Sequence, residues 1–203
     1  MSSATRTAVA RRFVEVLLRS RVVLQGDFTL KSGRKSSYFI DFGALEAPDA
    51  LYEVGHCYAQ TIVEEIGIDN FDVVFGPSYK GISLAVATAI ALVREYGADK
   101  PYCFNRKDEK DHGEGGLIVG RKPVRGDRIV IVDDVITDGG TKYEMVEFLQ
   151  SNTDAEIVGV VVGVDRSEPG TVEAFKERLG IPLLAITDFA TIQAIGGPIA
   201  PPA

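Results

Sequence analysis

The sequence predicts an α/β protein with a central, mostly parallel sheet flanked by helices, and three observations support this fold class. From Asp72 onwards, short apolar segments alternate with segments of helical periodicity, as in successive βαβ units. One apolar segment, Ile129 to Val132, is an unbroken run of β-favouring residues, which is typical of a strand buried on both faces. Polar residues follow the apolar segments, and open α/β sheets bind ligands at the carboxyl ends of their strands.

The elements of this α/β part are predicted in the order strand, helix, strand, strand, strand, helix, strand, helix, strand and helix. Apolar runs and helical spacing place them at Asp72–Phe75, Ile82–Tyr96, Pro101–Asn105, Leu117–Gly120, Ile129–Val132, a helix from Lys142, Glu156–Asp165, Thr171–Leu179, Pro182–Thr187 and Asp188–Ile195. The Gly- and Pro-containing segment that follows is predicted to be a frayed tail.

The N-terminal part of the chain has a different pattern. Apolar residues at helical spacing predict an amphipathic helix over Thr5–Ser20 and another from Pro48 to Gly67. Between them, two extended segments predict a hairpin over Phe28–Phe42 that stands outside any βαβ unit. We therefore expect a single domain over residues 1–203, with an N-terminal hood and a core, the hood over about 1–45 and the core over about 46–195.

Length and composition limit the possible functions. A chain of 203 residues with 45% hydrophobic and 25% charged residues is long enough to fold around one substantial core. The net charge of −7, without a long basic run, argues against binding to nucleic acid or to a membrane surface. Cys57 and Cys103 lack metal-type spacing and lie in apolar surroundings, so we expect reduced thiols, no disulfide and a cytoplasmic location.

The segment from Asp133 to Thr141 carries the strongest chemical signal, and Asp133–Gly140 is predicted to be a loop between the central strand and its helix. Its glycines let backbone N–H groups point inward and the helix start adds positive charge, so the loop is a candidate anion site; an ordinary βα turn is the alternative. The loop has neither the Lys-Ser/Thr ending of nucleoside triphosphate loops nor the dinucleotide G-x-G-x-x-G pattern, which favours a single phosphate. The adjacent acids Asp133 and Asp134 favour a sugar diol beside that phosphate.

Two further strand ends carry candidate binding residues. Tyr79 and Lys80 follow the first strand of the α/β part, although a solvated turn lysine gives the same pattern. Arg166 follows a long apolar strand, where a guanidinium can grip a carboxylate with two parallel hydrogen bonds. An ion pair between Arg166 and Asp165 or Glu168 is the structural alternative.

The loop from Arg106 to Gly116 mixes cations with acids and ends in two glycines. A solvated, mobile hairpin is the ordinary interpretation of such a loop. A reaction that expels pyrophosphate would instead use the loop to close over the site, exclude water and place cations on the leaving group. The candidate cations are Arg106, Lys107, Lys110 and His112.

Five segments resemble, in the same order, those of the orotate phosphoribosyltransferase family, whose members have the type I phosphoribosyltransferase fold and use phosphoribosyl pyrophosphate (PRPP). They are Phe28–Arg34, Phe75–Gly81, Cys103–Lys107, Lys110–Gly116 and the central segment Arg128–Thr141. The central segment marks the broader PRPP-using family, whereas the Lys-Asp-His-Gly loop is more discriminating. One departure is Asp138, which adds negative charge where small or hydroxyl residues are usual.

The resemblance implies a role for each matched residue. PRPP would contact Lys31, Tyr79, Lys80, Arg106, Lys107, Lys110, His112, Asp133, Asp134, Val135, Ile136, Thr137, Asp138, Gly139, Gly140 and Thr141. Orotate would contact Lys31, Phe39, Ile40, Thr137 and Arg166. The catalytic residues would be Lys110, His112, Asp133 and Asp134, with Lys110 and His112 supplied by the neighbouring subunit of a homodimer with shared active sites.

The implied reaction joins orotate to PRPP, giving orotidine 5′-monophosphate and pyrophosphate in de novo pyrimidine biosynthesis. Mg²⁺ would be held mainly through the substrate rather than by a protein cage. Two alternatives stay open. A purine phosphoribosyltransferase would not need Lys31 and Arg166 to accept a carboxylated base, and a regulatory protein with the same fold would not need Lys107, Lys110 and His112.

Overall fold

The computed structural model describes residues 3–29, 35–107 and 116–196. The helices are α1 (Ser3–Arg19), α2 (Pro48–Glu65), α3 (Lys80–Tyr96), α4 (Gly140–Asn152), α5 (Thr171–Leu179) and α6 (Phe189–Gly196). The strands are β1 (Val23–Thr29), β2 (Lys35–Ile40), β3 (Val73–Gly76), β4 (Tyr102–Asn105), β5 (Ile118–Gly120), β6 (Arg128–Ile136), β7 (Glu156–Asp165) and β8 (Leu183–Asp188). A single 3-10 turn, Phe42–Ala44, follows β2.

The main sheet has six strands in the order β5-β4-β3-β6-β7-β8. All neighbouring pairs are parallel except β4 and β5, which are antiparallel. The predicted mostly parallel α/β fold is therefore confirmed. Strand β6 lies between β3 and β7, so the acidic segment that follows Val132 is at the centre of the sheet's carboxyl edge.

Strand β6 is longer than the sequence predicted. Its pairing with β3 stops at Ile131, but its pairing with β7 continues to Ile136, which lies opposite Asp165. The prediction of a loop from Asp133 to Gly140 was therefore wrong, because both acids are strand residues and only residues 137–139 separate β6 from α4. Because β6 pairs only with β7 beyond Ile131, Asp133 and Asp134 stay in the strand. The edge of β6 that faces β3 is unpaired at these residues.

Hydrophobic clusters cover both faces of the sheet. Val130 and Val132 of β6 are fully buried in a cluster with Phe13 and Tyr58, which belong to α1 and α2. Alternate residues of the same strand, such as Ile131, lie in a second cluster with side chains of α4 and α5. This alternation is the expected one for a strand buried on both faces, and it fixes which helix layer each β6 side chain meets.

The predicted N-terminal hairpin is present as a separate antiparallel pair, β1 and β2. Its base is joined to the core, because Val23 and Ile40 lie opposite each other and are both buried in the first cluster. The ring of Tyr38 stacks on Phe189 of α6. The hairpin is thus packed next to the carboxyl edge of the sheet, while the predicted turn at residues 31–35 falls mostly outside the described residues, as does the predicted tail after Gly196.

Both cysteines are buried free thiols, as the sequence predicted. Burial raises the pKa of Cys57 to about 11 and that of Cys103 to about 12, so both stay protonated near neutral pH. Within the described ranges, no helix is long and apolar enough to cross a membrane.

Candidate active site

Lys80, the first residue of α3, connects the hood to the central strand. Its Nζ lies 3.1 Å from Asp41 Oδ1 and 3.5 Å from Asp134 Oδ2. Burial lowers the pKa of Lys80, but the hydrogen bond to Asp41 and the charge of Asp134 outweigh this effect and leave the pKa raised. The N–H of Gly43 also donates to Asp41 Oδ1 at 2.9 Å, and this bond is the main cause of the lowered pKa of Asp41. The ammonium therefore stays charged between two carboxylates.

Asp133 points to the opposite face of β6 and has a different cation. Lys142 of α4 donates to Asp133 Oδ2, and only 4% of the Lys142 side chain is exposed. Burial raises the pKa of Asp133, and the charge of Lys142 opposes that rise. The Tyr58 hydroxyl donates to the Asp133 carbonyl at 2.6 Å, which ties this end of the strand to α2. The two adjacent acids are thus each paired with a lysine from a different helix layer.

The short connection from β6 to α4 is the candidate phosphate loop. Thr137 and Asp138 are exposed, and Gly139 adopts a left-handed conformation with φ of +81° that a side chain would strain. The N–H of Gly140 donates to Asp138 Oδ1 at 2.9 Å. One amide at the helix start is therefore already occupied by the loop's own carboxylate. Ile136 is buried in the core, so its side chain faces away from any ligand at this edge.

The loops after β3 and β4 are held together. The N–H of Ser78 donates to Asn105 Oδ1 at 2.8 Å, and the Ser78 hydroxyl donates to the Asn105 carbonyl. Tyr79 is 69% exposed, and the Nζ of Lys107 lies 4.6 Å from its ring centroid. The sequence-predicted residues Tyr79 and Lys107 are therefore brought together, and Lys80 follows directly at the start of α3.

The start of α3 also requires close backbone packing. A Cβ added to Gly76 would lie 1.9 Å from the Gly81 carbonyl oxygen, so a larger residue would displace the helix start. The two glycines of this segment therefore let β3 turn sharply into α3, which places Lys80 over the edge of the sheet.

Arg166 lies at the end of β7 with an unusual set of contacts. Its guanidinium carbon is 4.8 Å from the ring centroid of Tyr38 in the hood, and its backbone N–H donates to the Ile136 carbonyl at 3.0 Å. The buried Nε has no hydrogen-bond partner among the described residues. Asp165 instead accepts from the N–H and hydroxyl of Ser167, at 2.8 and 2.6 Å. The described residues thus contain no ion pair between Arg166 and Asp165.

The other predicted orotate residues lie on β2 and on the phosphate loop. Phe39 is 37% exposed and its ring centroid lies 5.6 Å from that of Phe28. Ile40 is 4% exposed and belongs to the hydrophobic core, so its backbone rather than its side chain is available to a ligand. Arg106 is half-buried, and its N–H donates to the Leu117 carbonyl at 2.7 Å. Lys31, Lys110 and His112 lie outside the described residues.

Sequence reasoning missed two charged residues of the site, Asp41 and Lys142. For Lys142 a signal existed, because adjacent acids need counter-ions and Lys142 is the first cation that follows Asp133 and Asp134 along the chain. For Asp41 no local signal existed, because its partner Lys80 is distant in sequence and the contact depends on how the hood packs on the core.

Comparison with known proteins identifies the family to which this chain is similar. Residues 43–178 match the phosphoribosyl transferase domain family. The orotate phosphoribosyltransferase of Bifidobacterium adolescentis is 43% identical over 195 residues, which covers 91% of this chain and 84% of the relative. That of Vibrio cholerae is 44% identical over 192 residues, with 91% and 88% covered.

A solved structure agrees with these relatives. The crystal structure of orotate phosphoribosyltransferase from Francisella tularensis matches with a TM-score of 0.74 and 34% identity, covering 91% of this chain and 89% of that chain. The chain therefore belongs to the orotate phosphoribosyltransferase family and has the type I phosphoribosyltransferase fold.

Proposed function

We propose that this protein transfers the phosphoribosyl group of PRPP to orotate, giving orotidine 5′-monophosphate and pyrophosphate in de novo pyrimidine biosynthesis. Three features that meet at one sheet edge carry this proposal: a phosphate-type loop, an acid paired with Lys80, and an arginine whose buried Nε has no acceptor among the described residues. Family membership supports the same reaction. As predicted from the sequence, we also propose a single domain with an N-terminal hood. We propose a cytoplasmic location, because reduced thiols persist there.

The proposed chemistry is a substitution at C1 of the ribose. The bond from C1 to the pyrophosphate oxygen breaks and its electron pair leaves with pyrophosphate. The orotate ring nitrogen forms the new bond to C1, and its N–H proton passes to the departing pyrophosphate or to water. C1 develops oxocarbenium character, so the main demands are alignment and stabilisation of the leaving-group charge. The proposed cations around pyrophosphate are Lys80, Arg106, Lys107, Lys110 and His112.

The ribose 5-phosphate end of PRPP is assigned to the edge formed by β6 and α4. The loop from Thr137 to Thr141 offers backbone N–H groups and the positive end of α4 to the phosphate. Asp133 and Asp134 lie near the end of β6, three and two residues before its last residue, and are assigned to the ribose hydroxyls. This placement directs C1 of the ribose and its pyrophosphate towards Lys80 and the loop after β4.

Orotate recognition is assigned to Arg166, Thr137, Lys31 and the β2 segment at Phe39 and Ile40. The buried Nε of Arg166 has no acceptor within the described ranges, and an orotate carboxylate would supply one. Tyr38 supports the guanidinium from one side, which holds it in a fixed plane. A base without a carboxylate would leave this donor unsatisfied, so the arrangement favours orotate over purines.

The charged residues at this edge fit an Mg²⁺ ion that arrives with PRPP. Asp133 and Asp134 are each compensated by a lysine, and no cluster of three metal-ligating side chains occurs in the described ranges. Phosphate and ribose oxygens with water are the usual ligands of Mg²⁺ at such sites. The ion would neutralise pyrophosphate charge, while the lysines of the chain hold and orient the substrate.

We further propose a homodimer in which the Lys110 and His112 of the partner subunit complete each active site. This follows from the likeness of the Lys110–Gly116 segment to the family's shared loop. A two-fold contact repeats itself, so one interface gives two equivalent composite sites.

A comparison of acceptor bases tests the function. Orotate, hypoxanthine and adenine are each supplied with PRPP and Mg²⁺, and nucleotide formation is measured by chromatography. Orotate should be the preferred acceptor. Preference for hypoxanthine or adenine would support the purine alternative, and binding of PRPP without turnover of any base would support the regulatory one.

A further inference from the structure

Tyr38 of the hood lies between two residues of the core. Its ring stacks on that of Phe189, with the two centroids 3.2 Å apart and the planes 11° from parallel. The guanidinium carbon of Arg166 is 4.8 Å from the same Tyr38 centroid. Because the Phe189 ring fills the space directly over one face of Tyr38, the guanidinium must lie over the other face. The three side chains therefore form one stack, in the order Phe189, Tyr38 and Arg166.

The two outer members of this stack follow the carboxyl ends of neighbouring parallel strands. Asp165, the last residue of β7, lies opposite Asp188, the last residue of β8. Arg166 and Phe189 are the residues that come directly after this pair. The stack therefore stands at the edge of the sheet where the proposed orotate site lies, and Tyr38 reaches it from the hood.

Phe189 belongs to a helix that is anchored at its first turn. It is the first residue of α6, and Asp188 Oδ1 accepts the Thr191 N–H at 2.7 Å, which caps the helix start. The same helix buries Ile192 completely and packs on α1 and β8. The ring of Phe189 therefore gives Tyr38 a fixed surface to pack on, although the hairpin that carries Tyr38 is a separate pair of strands.

We propose that Phe189 is a positioning residue for orotate, which acts through Tyr38 by keeping the Arg166 guanidinium in the orientation that grips the orotate carboxylate. This inference rests on the proposed function of Arg166. Among the described residues Arg166 Nε has no acceptor, so stacking on Tyr38 orients the guanidinium before a ligand arrives. A planar group that is already oriented loses less freedom when it forms two parallel hydrogen bonds.

Steady-state kinetics test this role, with KM for orotate at saturating PRPP, KM for PRPP and thermal unfolding as the readouts. Phe189→Leu keeps an apolar side chain but removes the stacked ring, and it should raise the orotate KM about threefold to tenfold, which corresponds to one aromatic contact. The KM for PRPP should stay within about twofold of wild type. Phe189→Tyr keeps the ring and should leave the orotate KM within about twofold of wild type.

A double variant shows whether Phe189 acts through Arg166. Arg166→Lys removes the planar group that the stack orients. Adding Phe189→Leu to Arg166→Lys should therefore raise the orotate KM by less than about twofold beyond that of Arg166→Lys alone.

Ile195→Ala is the matched control for the loss of apolar contact. Ile195 belongs to the same helix and, like Phe189, is partly buried against the first hydrophobic cluster, but it is not part of the stack. Ile195→Ala should lower the unfolding temperature and leave the orotate KM unchanged. If Phe189→Leu does not fold, Phe189→Met, which has a longer unbranched side chain without a ring, carries the same expectations.

Several outcomes would overturn the inference and leave the proposed function intact. They are an unchanged orotate KM in Phe189→Leu, an equal rise in its KM for PRPP, the same rise in the Arg166→Lys background, and an equally raised orotate KM in Phe189→Tyr or Ile195→Ala. A folded wild-type protein that consumes no orotate with PRPP and Mg²⁺ would overturn the proposed function and this inference with it.

Discussion

Lys80 Nζ lies 3.5 Å from Asp134 Oδ2, and this contact joins the first residue of α3 to the central strand β6. The same ammonium reaches Asp41 at the end of the hood. One cation therefore connects three segments that are far apart in sequence, at the place where PRPP is proposed to bind. Its removal should affect both substrate binding and the position of the hood.

Replacing Lys80 by methionine keeps most of the apolar length of the side chain and removes its charge. We expect kcat/KM for PRPP to fall about 10²-fold, because a positioned cation at the leaving-group end is lost. Steady-state kinetics measure this, and Lys176→Met serves as the matched control on an exposed helix surface. An unchanged kcat/KM together with lower thermal stability would mean that Lys80 only fastens the hood.

Arg166→Lys keeps the positive charge but loses the planar fork. We expect a raised KM for orotate and little change in KM for PRPP, because a lysine cannot grip a carboxylate with two parallel bonds. Arg178→Lys is a suitable control, because the guanidinium carbon of Arg178 also lies over a tyrosine ring, 4.5 Å from the Tyr143 centroid. An unchanged orotate KM in Arg166→Lys would assign Arg166 a structural role only.

Asp138→Asn tests the departure from the family pattern in the phosphate loop. Asparagine can still accept the Gly140 N–H that Asp138 accepts at 2.9 Å, but it carries no negative charge beside the phosphate. We expect PRPP to bind about twofold to fivefold more tightly, which is the size of an exposed charge interaction. Calorimetry with PRPP and with inorganic phosphate measures the change. Weaker binding in Asp138→Asn would mean that the carboxylate supports the loop more than it repels the ligand.

Much of the fold could be predicted from local patterns. The bounds of β7 and α5 agree with the predicted Glu156–Asp165 and Thr171–Leu179, because a long apolar segment rich in valine and a glycine on each side of a helix are strong local signals. The end of β6 could not be predicted in this way. Two consecutive acids resemble a loop, and only the pairing with β7 keeps them in the strand.

The candidate site was predicted less completely than the fold. Lys80, Asp134 and Arg166 were found because each follows an apolar run at a strand end. Asp133 and Asp134 lie on opposite faces of β6, and their partners are Lys142 and Lys80 respectively. This arrangement depends on strand geometry and on helix packing. Such partnerships join residues of different layers, and no single stretch of sequence carries that information.

Subunit complementation tests the proposed shared sites. Lys110→Ala should be nearly inactive because departing pyrophosphate lacks a cation, and Asp134→Ala should be weak because the ribose is poorly held. When the two variants exchange subunits, one site of a hybrid dimer carries both lesions and the other carries none. Activity should then rise well above that of either parent. A mixture that shows only the average of its two components, after exchange is verified, would assign Lys110 to its own subunit.

The loss of orotate absorbance on addition of PRPP and Mg²⁺ to the wild-type protein tests the central claim most directly. The account predicts that orotate disappears only when PRPP and the metal are both present, with one pyrophosphate released for each orotate consumed. EDTA should stop the reaction without unfolding the chain, because the metal is proposed to be held mainly through the substrate. A folded protein that binds PRPP and leaves the orotate absorbance unchanged would contradict the account.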